Sequence, residues 1–140
     1  MPFITRKIRW THIGDGPERN NIMSYLTDLP PHIEVEFLGK LPHHSVLQYL
    51  KTEPIDLMLN TSSSEGVPVS IMEAYSHGIP VVATDVGGNS EIVLKEHIIP
   101  FDSNSEDIAK IINEWSEDSQ MREKVNIIQS ENFDSTINAQ

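Results

Sequence analysis

Two carboxylates eight positions apart, Glu65 and Glu73, bracket the opening of a helix in the string SSSEGVPVSIMEAYSHGIPVVATDVGG, residues 62–88. Between them stand Gly66, Val67, Pro68, Val69 and Ser70. The first turn of a helix leaves backbone N–H groups without intrahelical partners, at the positive end of the helix dipole. Such an end suits a phosphate or another anion. Gly66 has no side chain, so a ligand can approach the backbone closely there. Glu65 lies just before this end, and Glu73 about one turn into the helix on the flank of Val69 and Ser70. Carboxylates accept strong hydrogen bonds from hydroxyls, so both glutamates could border one ligand carrying phosphate and hydroxyl groups. On spacing alone, the same two residues also read as a loop charge and a solvated helix residue.

The elements that must position these residues follow from the neighbouring sequence. Pro68 suits the first helical position, where its missing N–H costs nothing. The helix is predicted over 69–77, with the good formers Ile71, Met72, Glu73 and Ala74 inside it. Gly78 falls where a left-handed cap is wanted and Pro80 prevents continuation. The apolar, β-branched run IPVVAT reads as a buried strand, broken by Asp85, Val86, Gly87 and Gly88. Upstream, IDLMLN over 55–60 is a strand whose end delivers Ser62, Ser63, Ser64 and Glu65 to the ligand edge.

The first part of the chain repeats this logic. KIRWTHIG, residues 7–14, reads as a strand running into the turn Gly14-Asp15-Gly16-Pro17, then a helix over 18–26. Gly14 and Gly16 would let a ligand near the strand's carboxyl end, where open α/β sheets bind ligands. IEVEFL over 33–38 alternates strictly and is closed by Gly39, with Lys40 next. Lys40 reads equally as a phosphate contact and as a solvated lysine. A helix is expected over 42–50, and a short helical segment over 89–94 precedes the strand Ile98-Ile99. The helix over 106–115 carries Ile108, Ile111, Ile112 and Trp115 on one stripe, with capping residues over 102–105. A last helix is expected over 121–129, burying Met121, Val125 and Ile128, and the polar tail over 133–140 is expected to fray. Strands alternating with helices argue for an α/β fold, a doubly wound parallel sheet.

Composition narrows the function further. A length of 140 residues suits one domain. A net charge of −11 argues against a nucleic-acid partner. With no cysteine, there is neither a disulfide framework nor a Cys-based zinc site, and His43-His44 has no metal-ligand spacing with another residue. No apolar run reaches transmembrane length and the first ten residues do not form a signal peptide; a cytoplasmic location is expected.

Taken together, the strings resemble the donor site of retaining glycosyltransferases of the GT-B fold, the "group 1" family. The resemblance rests on Ser62 to Ser64, Glu65-Gly66-Val67-Pro68, Glu73-Ala74, the run from Gly78 to Gly88 and Glu91-Ile92-Val93, with Gly14-Asp15-Gly16-Pro17 as a weaker match. It implies a Rossmann-like carboxyl-terminal domain, residues 1–140 being part of the domain that binds a nucleotide-sugar donor. It implies transfer of a sugar, of hexosyl type, to an acceptor hydroxyl in glycan or polysaccharide biosynthesis, with no metal or other cofactor. Glu73 would hold the ribose hydroxyls, Glu65 would contact the sugar near the reacting carbon, and Gly66, Val67, Pro68, Val69 and Ser70 would line the phosphates. Gly14, Gly16 and Lys40 would complete the donor site. The acceptor would sit on an amino-terminal domain outside these residues.

The family's opening strand and helix, with their Arg/Lys pair for the diphosphate, have no counterpart here. Without that pair, a chain of charge −11 is expected to hold a diphosphate poorly and to be inactive in isolation. Without that strand, unpaired sheet edges are expected, filled by residues 2–5, by closure of the neighbours or by self-association. Other readings are a non-catalytic nucleotide-binding or structural remnant, and an epimerase of the same fold. The epimerase's own carboxylates and histidine have no counterpart here. A glycosidase carboxylate pair ranks lower, since it needs no phosphate cradle.

Overall fold

The computed structural model describes residues 2–115 together with Glu123 and Ile127. In chain order the elements are β1 (Ile8–Ile13), α1 (Arg19–Ser24), β2 (Ile33–Gly39), α2 (His43–Thr52), β3 (Met58–Asn60), α3 (Val69–Ser76) and β4 (Val81–Thr84). Then come α4 (Asn89–Ile92), a 3-10 turn at Lys95–His97, β5 (Ile98–Ile99) and α5 (Ser105–Glu114). The fold is α/β and every strand pairing is parallel, as expected. The strands fall into two sheets, β1-β2 and β3-β4-β5, where a single sheet was predicted. The chain divides into two compact units. One comprises residues up to Tyr49 with Ser105–Trp115, and the other includes Leu50–Asn104.

In the first unit, β1 and β2 set Ile8 opposite Ile33, Trp10 opposite Val35 and His12 opposite Phe37, with a register slip after His12. Alternation places these apolar residues on one face. There Ile4, Ile33 and Ala109 are buried, with Ile8, Leu29, Val35 and Ile112 packed against them. The residue that α5 buries most is Ala109, which the apolar stripe omitted; a small side chain lets the helix approach closely, while Ile108, Ile111, Ile112 and Trp115 are half-buried beside it.

Residues 2–5 were one candidate to fill a gap in the sheet. They form no strand but a turn tied to the end of α5. The Thr5 N–H donates to Asn113 Oδ1 (2.9 Å), and Asn113 Nδ2 donates to the Phe3 carbonyl (2.8 Å). The Arg6 guanidinium donates to the carbonyls of Ile112 (3.3 Å) and Trp115, groups that a helix end leaves without partners.

The second unit is built on β4, whose four residues are all buried between β3 and β5. Its core gathers Ile71, Ala74, Tyr75, Ile79, Val81, Ala83 and Val93. Burial on both faces explains why IPVVAT is uniformly apolar rather than alternating. The strand predicted over 55–60 is shortened to Met58–Asn60. The Met58 N–H donates to the Pro80 carbonyl (2.9 Å), and Pro80 has no N–H with which to carry the ladder further back. The helix expected over 121–129 lies outside the described residues except for Glu123 and Ile127, which are helical; the tail over 133–140 lies wholly outside them.

Candidate functional site

Glu65 is fixed by the strand that precedes it. Asn60, 7% exposed at the end of β3, accepts from the Ser62 N–H through Oδ1 (3.1 Å). Glu65 then turns back: its Oε1 accepts from Ser62 Oγ (2.7 Å) and from Asn60 Nδ2 (3.3 Å). No hydrogen bond engages Oε2 among the described residues. The loop after β4 closes the other side. Thr84 Oγ1 donates to the Ser62 carbonyl (2.7 Å), and the fully buried Asn89 donates through Nδ2 to the Thr84 carbonyl (3.0 Å).

At the head of α3, Pro68 is the N-cap with φ −79° and ψ 71°, not the first helical residue as predicted. Its ψ is outside the helical range, and its carbonyl accepts from the N–H groups of Ile71 and Met72 (both 3.1 Å). The set of backbone donors is also smaller than predicted. Pro68 has none, and the Val69 N–H is taken up by the Val67 carbonyl (2.9 Å). Gly66, Val67 and Ser70 keep N–H groups that no hydrogen bond engages among the described residues. Glu73, half-buried, is one turn along from Val69 and Ser70, which are exposed; Ile71, Ala74 and Tyr75 face the core. The predicted C-terminal cap is present. Gly78 has φ 71°, its N–H donates to the Tyr75 carbonyl (2.9 Å), and the Ile79 N–H donates to the Ala74 carbonyl (3.0 Å).

The first unit holds the other sequence candidates. Gly14 has φ 137° and its N–H donates to the Gly39 carbonyl (2.8 Å), which ties together the carboxyl ends of β1 and β2. The Gly16 N–H donates to Asp15 Oδ1 (2.9 Å), and Lys40 is exposed just beyond β2. A groove of about 150 Å³ opens at this turn, lined by His12, Gly14, Gly16, Arg19, Ile22 and Phe37 among others. The His12 and Phe37 rings lie 5.3 Å apart, and Arg19 Nε is buried without a hydrogen-bond partner. Reading the sequence picked out the two glycines and missed His12, Arg19 and Phe37. The signal for His12 and Phe37 was present in the strand alternation, but only the register puts them side by side. Gly14, Gly16 and Lys40 thus belong to one unit, and Glu65 to Ser70 with Glu73 to the other.

Residues 5–129 match the family model of the glycosyl transferases group 1. The chain belongs to this family. A comparison with curated proteins returns no match. The span shared with the group 1 glycosyltransferases contains the glycine turn, the Glu65 loop, α3 and the loop after β4, so membership and local geometry concern the same residues. Membership carries glycosyl transfer as the general chemistry, with a sugar donor and an acceptor. Among the described residues, no group of three His, Cys, Asp or Glu could hold a metal ion, and no helix is long and apolar enough to cross a membrane.

Proposed function

We propose that this chain is the donor-binding part of a retaining GT-B glycosyltransferase that uses a nucleotide-sugar. The observation that supports it best is the head of α3, where three unengaged N–H groups, on Gly66, Val67 and Ser70, stand between Glu65 and Glu73. The N–H groups stabilise the leaving diphosphate, which gains charge as the bond from the sugar carbon to the phosphate oxygen breaks. Glu73 accepts from the ribose hydroxyls, and Glu65 accepts from the sugar ring near the reacting carbon. A new carbon–oxygen bond forms to an acceptor hydroxyl, whose proton passes to the departing diphosphate oxygen. The acceptor is held by a further domain. In the first unit, Gly14, Gly16 and Lys40 lie at the carboxyl ends of β1 and β2, the edge at which open α/β sheets take ligands.

Charge sets the strength of this binding. Residues 62–73 contain no Lys or Arg, and the chain carries a net charge of −11. At the head of α3, backbone dipoles without a neighbouring Lys or Arg face the diphosphate, so binding is weak and the isolated chain does not turn over. This observation also favours a second reading, a nucleotide-binding remnant without catalysis. Titration calorimetry with UDP, GDP and ADP, each with and without an attached sugar, separates binder from inert fold. Incubation with labelled nucleotide-sugars tests turnover. Among the described residues, β1 pairs with β2 alone in the first sheet and β3 pairs with β4 alone in the second, which leaves edges unpaired. We propose that such edges let the chain self-associate; a strictly monomeric sedimentation profile at high concentration rules this out.

A further inference from the structure

We infer that Ser62 is a positioning residue for Glu65, holding one carboxylate oxygen so that the other is presented to the ligand in a fixed direction. The inference deepens the donor reading above and rests on it for the ligand's identity. Four contacts carry it. Ser62 Oγ donates to Glu65 Oε1 at 2.7 Å, the shorter of the two hydrogen bonds that the carboxylate accepts. A hydrogen bond to an ionised acceptor is stronger than a neutral one. Ser62 is itself immobilised at both ends of its backbone: its N–H donates to Asn60 Oδ1 (3.1 Å) and its carbonyl accepts from Thr84 Oγ1 (2.7 Å). Thr84 is buried, and its own carbonyl is bound by the buried Asn89.

A glutamate at the end of a loop would otherwise sample several rotamers and lose that freedom on binding. Here the two hydrogen bonds to Oε1 restrict that freedom before a ligand binds. Of the two partners of Oε1, Asn60 is the last residue of β3 and Ser62 lies two residues beyond it, tied by its backbone to Asn60 and to Thr84 of β4, so the carboxylate is referenced to the sheet rather than to the exposed Ser63 and Ser64. Oε2 stays unengaged by hydrogen bonds among the described residues. Preorganisation of this kind raises affinity by reducing the ordering cost, not by adding a contact to the ligand.

The first test needs no ligand. Three-bond couplings across Cα–Cβ and Cβ–Cγ of Glu65, measured by NMR on the full chain, should report one rotamer in the wild type. They should become averaged in Ser62→Ala and return to one rotamer in Ser62→Thr, which keeps the hydroxyl. Averaged couplings in the wild type, or couplings that Ser62→Ala leaves unchanged, overturn the inference. The second test is calorimetry of a nucleotide-sugar against the bare nucleotide. Ser62→Ala should lower the preference for the sugar-bearing form by about fivefold. In a Glu65→Ala background it should change nothing. An equal loss in both backgrounds means that Ser62 acts elsewhere and overturns the inference. A wild type that does not prefer the nucleotide-sugar, combined with the expected couplings, removes the sugar-contact reading and leaves the positioning role standing.

Discussion

Gly87 lies directly against the carbonyl of Glu65. A Cβ built at residue 87 would stand 1.9 Å from Glu65 O, and Gly87 has φ 52°, a conformation that residues with a side chain rarely adopt. The neighbouring Gly88 would bring a Cβ to 3.2 Å from the Gly66 carbonyl. The loop after β4 can therefore seat on the Glu65 loop in this way only because residue 87 lacks a side chain, whereas a Cβ at residue 88 would ask the Gly66 carbonyl to give by a few tenths of an ångström. Gly87→Ala should destabilise the fold by about 2 kcal/mol or more, combining the left-handed backbone with the steric overlap. Gly16→Ala is the control, since a Cβ there meets nothing within 4 Å. Denaturant unfolding of the two variants makes the comparison.

Glu73→Ala should weaken nucleotide binding about tenfold if its carboxylate holds the ribose hydroxyls, the range expected for a charge-assisted hydrogen bond. Glu65→Gln should leave the bare nucleotide's affinity unchanged and reduce the preference for a nucleotide-sugar. Calorimetry on both variants separates the roles. Unchanged nucleotide affinity in Glu73→Ala removes the ribose assignment.

Asn89 is fully buried, donates through Nδ2 to the Thr84 carbonyl and has no partner for Oδ1. Asn89→Ala should cost about 1–2 kcal/mol, because the Thr84 carbonyl loses a donor while one unmet acceptor disappears. Asn89→Asp should cost more at neutral pH, since it buries a charge beside a carbonyl. Its excess cost should shrink in acid, where the protonated carboxyl can donate to Thr84. Thermal melts across a pH series follow both effects.

Tyr75 is fully buried, and burial pushes its phenol above the usual pKa near 10; the Leu94 N–H, which donates to its oxygen at 3.3 Å, opposes this, and the Glu96 charge adds to it. The folded state therefore binds the phenolic proton more tightly than the unfolded state. The corresponding stability is fully present below the unfolded pKa and is lost as pH rises through the folded one. Unfolding midpoints should fall as pH rises above about 10, and less steeply in Tyr75→Phe. At neutral pH, Tyr75→Phe should cost about 1 kcal/mol by leaving the Leu94 N–H without its acceptor.

Much of the fold was legible because it rests on short-range chemistry. Gly78 and Pro80 end α3 through a cap that involves only residues within five positions. IPVVAT reads as a strand because each of its residues needs to leave water. The alternation of Ile33, Val35 and Phe37 marks β2 in the same way. Within the candidate site, the helix head and its two glutamates were legible because an N-terminal turn always leaves N–H groups over. The exception is Val69, whose N–H bends back to Val67, a local choice that spacing does not reveal.

Sequence by itself determined the α/β alternation, the helix head with a glutamate on either side of it, and the family, since these depend on residue types at fixed spacing. Only the tertiary structure decided the division of the strands into two sheets, the pairing of His12 with Phe37, the hold of Ser62 on Glu65 and the contact of Gly87 with the Glu65 carbonyl. All but the third join residues more than twenty positions apart, or depend on which strand lies beside which. Register and loop approach are set by packing against the whole core, and no local pattern encodes them.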